Sequence, residues 1–167
     1  LEAVDERPSE YGDVPLRVVP GVSAMQAAAA RVGAPLGHDF CVISLSDQLK
    51  LWEVIEQRLD AAGTADLVVV LYNPASRARR DQLEQAREVL LRHREPGTPV
   101  VVARDVGGPE ESVTVSTLAG FAAEAVDMRT LLVVGSSTTR AFGANGATTR
   151  VYTPRRYTAP VTDTTQS

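Results

Sequence analysis

Few of the residues that usually announce a site occur in this sequence. Its 167 residues contain one cysteine and two histidines. The lone Cys41 has no partner for an internal disulfide, which fits a reducing cytoplasm, the expected compartment. With His38 and His93 far apart in sequence, a structural zinc site is not expected. No apolar run approaches the roughly 18 residues of a membrane helix, and no signal peptide is visible, so no membrane partner is expected. A formal net charge of −4 argues against general nucleic-acid binding. Three common motifs are missing: G-x-G-x-x-G after a strand, G-x-x-x-x-G-K-[ST], and the G-x-S-x-G elbow. Their absence removes the fingerprints of a dinucleotide site, a P-loop and an α/β-hydrolase nucleophile.

What is present is enough apolar residue, 44% of the chain, to build one domain's core. The chain begins at Leu1 with a charged segment that runs straight into a strand-like stretch, and it reads as a piece of a longer protein. Residues 16–30 organise the rest. They read as a short apolar strand (16–19), a Pro20-Gly21 turn and a helix from Ser23 to Val32. Gln26 stands three residues after Ser23, the spacing of a capping box. Such a strand, turn and helix start aims backbone N–H groups and a positive dipole end at one point.

Downstream, Gly33 and Pro35 stop the helix, residues 40–45 read as a strand, and Ser46-Asp47 offers a cap. A helix follows at 49–62, with Leu51, Ile55, Leu59 and Ala62 on one face and Gly63 as its stop. The continuous apolar run at 66–72 has the look of a strand covered on both faces, closed by Asn73-Pro74. Ser76 opens a helix to about His93. Residues 99–103 and 112–117 read as strands around a Gly-Gly-Pro turn, 118–125 as a short helix, 130–135 as a strand and 148–153 as an edge strand. The tail 158–167 is polar. Strand and helix alternate first and strands follow strands later. The expected architecture is an α/β fold with a mixed parallel and antiparallel sheet of about five strands flanked by helices.

In open α/β sheets ligands sit beyond the carboxyl ends of strands. The candidates by position are 20–24, 44–47, 72–76, 104–105 and 135–138, any of which alone is more often an ordinary capping or loop residue. His38-Asp39 offers an acid/base pair but sits in a connection. Cys41 and Trp52 read as packing residues. Arg77, Arg79 and Arg80 crowd a helix start, where cations oppose the dipole. Lys50 is the one lysine among 17 basic residues, so arginine is partly a habit of composition. A solvated basic face competes with a clamp for a substrate bearing several carboxylates.

Several stretches together resemble the tetrapyrrole (corrin/porphyrin) methylase family. They are Val18-Val-Pro-Gly-Val-Ser-Ala24, the block from Gly33 to Asp47, Trp52-Glu-Val-Ile-Glu56, Leu71-Tyr-Asn-Pro-Ala-Ser76, Val113-Thr-Val-Ser-Thr-Leu118 and Leu132-Val-Val-Gly135. The Gly33 to Asp47 block and Leu-Tyr-Asn-Pro-x-Ser are most similar to the branch that methylates C17 of precorrin-3B, with ring contraction, in cobalamin biosynthesis. The resemblance implies a two-domain enzyme with S-adenosyl-L-methionine in the cleft between its domains. Residues 1–22 would then be the end of the N-terminal domain and a linker, 23–157 the C-terminal α/β domain, and 158–167 a disordered tail. It further implies a homodimer, a tetrapyrrole substrate and no metal. Carried over by motif, Pro20, Gly21, Ser23 and Ala24 approach the methionine part of the cofactor. Tyr72 and Asn73 line the pocket, with Asn73 where several relatives have methionine, and Val101 and Thr130 flank the adenosine. The three arginines are the candidate substrate contacts, and no catalytic acid or base is identified. Two alternatives stay open: a methylase acting at another ring carbon, and a non-catalytic dimerisation or binding domain.

Overall fold

The computed structural model describes residues 1–75, 81–143 and 149–156. Two short helices, α1 (Glu2–Glu6) and α2 (Pro8–Tyr11), open the chain and bury nothing. The expected strand at 16–19 does not form: the stretch carries no strand pairing, and Leu16, Val18 and Val19 are exposed. A β-prone sequence becomes a strand only where a neighbour and a half-buried face exist.

Helix α3 (Ala24–Val32) starts where the sequence predicts, with the Ser23–Gln26 capping box formed. After it come β1 (Gly33–Ala34), β2 (Phe40–Ser44), α4 (Trp52–Thr64), β3 (Val68–Tyr72) and α5 (Asp81–Leu91). The remaining strands are β4 (Pro99–Arg104), β5 (Ser112–Thr117), β6 (Thr130–Val134), β7 (Arg140–Phe142) and β8 (Arg150–Tyr152). The main sheet has five strands in the order β2-β3-β6-β4-β5. β2 and β3 are parallel, whereas β6 is antiparallel to both β3 and β4, and β4–β5 is an antiparallel hairpin. The mixed sheet is therefore as expected, and the last main strand, β6, is inserted at its centre.

Alternation along the strands divides the core into two layers. Val69, Leu71, Val100, Leu132 and Val134 pack with Ile55 and Leu59 of α4 and Leu83 and Leu90 of α5. Val68, Val70, Val101, Ala103, Leu131 and Val133 face the other way, onto Ala28 and Val32 of α3 and Val151 of β8. A period-two strand buried on both faces needs apolar residues at every position, which is what the runs at β3 and β6 supply. Cys41 and Trp52 pack against the first layer, as expected.

Three further local expectations change. The strand at 148–153 is not an edge: β8 is the middle of a second sheet, β1-β8-β7. Gly33 makes this possible, with φ +131° and a position where a Cβ would stand 2.8 Å from the Val151 carbonyl oxygen. Helix α4 starts at Trp52 with no side-chain cap and runs through Gly63, where a Cβ would meet the His93 ring at 2.5 Å, so that glycine serves helix packing. At 118–125 only a 3-10 turn forms, Ala123–Ala125. The Leu118 and Ala119 N–H groups donate instead to the Thr98 and Pro96 carbonyls. The predicted start of α5 at Ser76 and the tail 158–167 lie outside the described residues.

Candidate functional site

Because β6 runs opposite to its neighbours, its N-terminal end lies beside the carboxyl ends of β3 and β4. A cavity of about 140 Å³ opens there. Its wall takes Ala24 from the first turn of α3, Tyr72 and Asn73 from the end of β3, and Ala103 and Val106 from β4 and beyond. Met128, Arg129, Thr130 and Leu131 close it from the start of β6.

The start of α3 is less open than the sequence suggests. The Ser23 N–H donates to Gln26 Oε1 at 2.9 Å, and the Gln26 N–H returns to Ser23 Oγ at 3.5 Å. The Met25 N–H donates to the Tyr72 hydroxyl at 2.9 Å. Three of the amides expected to face a ligand are thus satisfied inside the protein, a normal resolution of the unpaired donors at a helix start. In exchange, α3 and β3 are locked together at the cavity by the Tyr72–Met25 bond.

Asn73 holds φ +51°, a left-handed conformation that asparagine tolerates better than most residues. Its Nδ2 donates to Ser44 Oγ at 2.9 Å, which anchors the side chain to the end of β2. Thr130 is buried and its hydroxyl donates to Asp127 Oδ1 at 2.8 Å. That hydroxyl is therefore spent on the turn before β6.

Charged residues ring this end of the sheet. Arg104 pairs with Asp127 at 2.9 Å and with Glu110 at 3.1 Å, and Arg129 pairs with Asp105 and, at 2.9 Å, with Glu110. Arg31 of α3 grips Glu111 through two bonds of 2.6 and 2.9 Å, and the Gly107 N–H donates to the same carboxylate at 2.6 Å. These donors, Arg31 first, hold the Glu111 carboxyl down at about 2. The Arg129 guanidinium and the Glu110 N–H hold Asp105 below its usual value. Burial raises Asp127, but the Thr130 hydroxyl, Arg104 and the Arg129 N–H outweigh it, so this carboxyl too is lowered.

Of the expected cofactor residues, the structure brings Ala24, Tyr72, Asn73 and Thr130 to one cavity. Ser23 caps the helix behind it. Pro20 and Gly21 are exposed and outside the wall, and Val101 is buried in the α3-facing core layer while Ala103, two residues on, lines the cavity. Arg77, Arg79 and Arg80 lie outside the described residues. Reasoning from the sequence missed Ala103, Val106, Met128, Arg129 and Leu131. The position of 104–105 at a strand end pointed toward Val106, but no local pattern marks the turn before β6.

A larger cavity, about 480 Å³, lies at the opposite end of the sheet around His93, Arg94, Ser136 and Thr139. Its one deeply buried cation, Arg94, is spent on structure. It donates to the carbonyls of Gly63, His93, Leu67 and Gly135 at 2.9–3.3 Å and pairs with Asp66 at 3.0 Å. The expected acid/base pair His38-Asp39 sits in the loop before β2 and lines neither cavity.

Comparison with known proteins identifies the family. Over 159 residues the chain is 53% identical to the cobalamin biosynthesis protein CobIJ of Mycobacterium tuberculosis, covering 93% of this chain and 31% of that protein. It is 49% identical to a precorrin-3B C(17)-methyltransferase of Sinorhizobium over 156 residues, 93% of this chain and 61% of that protein. The chain thus spans less than two thirds of either relative. The crystal structure of the methyltransferase CobJ superposes with a TM-score of 0.81 at 43% identity, covering 92% of this chain and 62% of that one. The family model described as Tetrapyrrole (Corrin/Porphyrin) Methylases matches residues 2–122. With that match over most of its length and the same fold in a methyltransferase, the chain belongs to the tetrapyrrole methylase family.

Proposed function

We propose that this chain is part of an S-adenosyl-L-methionine-dependent C-methyltransferase that methylates C17 of precorrin-3B, with ring contraction, in cobalamin biosynthesis. The observation that carries the reading is the 49% identity to a protein named for that reaction, over 93% of this chain. The cavity supports it by its position, at the carboxyl edge of the sheet where α/β proteins bind ligands.

The cavity's chemistry fits part of the cofactor. Ala24, Ala103, Val106, Met128 and Leu131 offer apolar surface for a flat ring, and Tyr72 and Asn73 offer polar groups beside it. Its size, about 140 Å³, is below the roughly 300–1,000 Å³ of a pocket that encloses a ligand of this class. The remaining wall then comes from the rest of the longer protein, with residues 1–22 joining an N-terminal domain to the C-terminal α/β domain of 23–157.

The bound cofactor supplies a methyl group on a sulfonium that is already activated. This chain's task is to bind and orient it, and alignment within a closed cleft is where most of the rate is gained. Arg77, Arg79 and Arg80 follow the Tyr72-Asn73-Pro74 segment closely in sequence, and their guanidinium groups suit the carboxylates of a tetrapyrrole. The same reading makes the protein a cytoplasmic homodimer.

The test is calorimetric titration with S-adenosylhomocysteine, with NADH as control, on this chain and on the protein carrying the upstream half. Saturable binding of S-adenosylhomocysteine alone, with methylation of precorrin-3B by the longer protein, is the expected result. A longer protein that neither binds it nor methylates any tetrapyrrole overturns the reading.

A further inference from the structure

We infer that Asp127 is a positioning residue for the cofactor cavity: its carboxylate, held by Arg104, fixes the turn that forms one wall. The inference rests on the cofactor reading above and adds to it how the wall keeps its shape. Asp127 does not line the cavity. It acts through residues that do.

The turn from 127 to 130 is closed from several sides. Asp127 Oδ1 accepts the Thr130 hydroxyl at 2.8 Å and the Arg129 N–H at 3.0 Å. The Thr130 N–H donates to the Asp127 carbonyl at 3.1 Å, and the Asp127 N–H donates back to Thr130 Oγ1 at 3.2 Å. The other carboxylate oxygen, Oδ2, accepts from Arg104 Nε at 2.9 Å. Arg104 ends β4 and stands directly opposite Thr130 in the sheet register. Its Nη1 reaches Glu110, which also takes Arg129. One carboxylate therefore sets Met128, Arg129 and Thr130 and, through Arg104 and Glu110, couples them to the loop that carries Val106. These are walls on two sides of the same cavity.

Two consequences follow from the chemistry. A short turn with one buried hydroxyl has several accessible conformations, and a ligand that needs one of them loses affinity when the others are populated. Removing the Asp127 carboxylate takes the acceptor from the Thr130 hydroxyl proton and leaves Arg104 with Glu110 alone, whereas replacing it with Asn keeps an acceptor oxygen but discards the charge.

The experiment is titration of the chain with S-adenosylhomocysteine, and of the longer protein where the chain alone does not bind. Asp127→Ala is expected to weaken binding about tenfold, and Asp127→Asn about threefold. Arg104→Met behaves like Asp127→Ala, while Arg104→Lys, which keeps the charge, stays within about twofold of wild type. If Asp127→Ala does not fold, Thr130→Val, which deletes one hydroxyl at constant shape, carries the test, with about threefold weaker binding expected. Amide exchange in the ligand-free protein is the second arm: Asp127→Ala accelerates the Arg129 and Thr130 amides and leaves those of β2 unchanged. Wild-type affinity in Asp127→Ala, equal loss in both Arg104 variants, or unchanged exchange at 129–130 each overturns the inference. A wild-type protein that binds no S-adenosylhomocysteine sinks the cofactor reading instead, and the exchange arm then still decides whether Asp127 holds the turn.

Discussion

Arg94 offers a sharp test of how the domain is held together, because it sits at the sheet end remote from the candidate site. Its side chain is 2% exposed and its guanidinium reaches four backbone carbonyls as well as Asp66. Those carbonyls belong to the end of α4 (Gly63), the approach to β3 (Leu67), the segment after α5 (His93) and the end of β6 (Gly135). Truncation to alanine takes a donor from each of these carbonyls, of which Gly63 keeps the Asp66 N–H, and removes the buried partner of a half-buried carboxylate, which costs about 3–5 kcal/mol. At this chain length each kcal/mol lowers the melting temperature by about 2–4 °C, so Arg94→Ala is expected to melt about 6–20 °C below wild type. Circular dichroism melts measure it. Arg94→Lys keeps the charge beside Asp66 but not the planar fork, and falls between the two. Arg92→Ala is the control: that residue is exposed and its contact with Glu56 is 3.6 Å long, so its loss costs less than about 0.5 kcal/mol. S-adenosylhomocysteine affinity is expected to survive Arg94→Lys, since the cavity is at the other end of β6. A melting point for Arg94→Ala within about 2 °C of wild type would refute the reasoning, because the carbonyls would then find water and Asp66 would be content with its two bonds from Ser137.

Two further predictions concern the site. Glu111 has its carboxyl lowered from 4.5 to about 2, chiefly by Arg31, so its contribution to stability is fully present above 4.5 and is lost as pH falls toward 2. Glu111→Gln is therefore expected to flatten the acid limb of a urea-midpoint profile over that window and to change little of its shape above it; an unchanged acid limb counts against the Arg31–Glu111 grip. Tyr72→Phe removes the acceptor of the Met25 N–H and is expected to cost about 1 kcal/mol in stability, with about fivefold weaker S-adenosylhomocysteine binding. Equal affinity and equal melting in the phenylalanine variant would show that the α3–β3 tie does not shape the cavity.

The parts of this protein that were legible in its sequence are those in which a residue acts on its near neighbours. Ser23 and Gln26 announced the capping box because the bond between them spans one helical turn. The run at β3 announced a strand buried on both faces because every position along it is apolar, and the run at 130–135 announced a strand, which as β6 is buried throughout. Asn73-Pro74 announced the end of β3 because proline cannot continue a central strand, and the strand ends at Tyr72. The family motifs extended the reading to Ala24, Tyr72, Asn73 and Thr130, which the fold gathers around one cavity.

Tertiary structure decided which strand lies next to which, and with it the cavity. Nothing local says that β6 slips between β3 and β4, yet that insertion sets Thr130 beside Arg104 and brings the turn before β6 to the carboxyl ends of β3 and β4. The Tyr72–Met25 bond joins residues 47 positions apart, and the Arg31–Glu111 pair joins residues 80 apart. Gly33 reads as a helix stop, but its lack of a side chain matters because the Val151 carbonyl presses against it from the far end of the chain. Residues 16–19, strand-like by composition, stay unpaired for want of a neighbour. Secondary structure follows from propensities and caps that act within a few residues. The site follows from burial and charge pairing between distant segments, which take effect only once the core has brought those segments together.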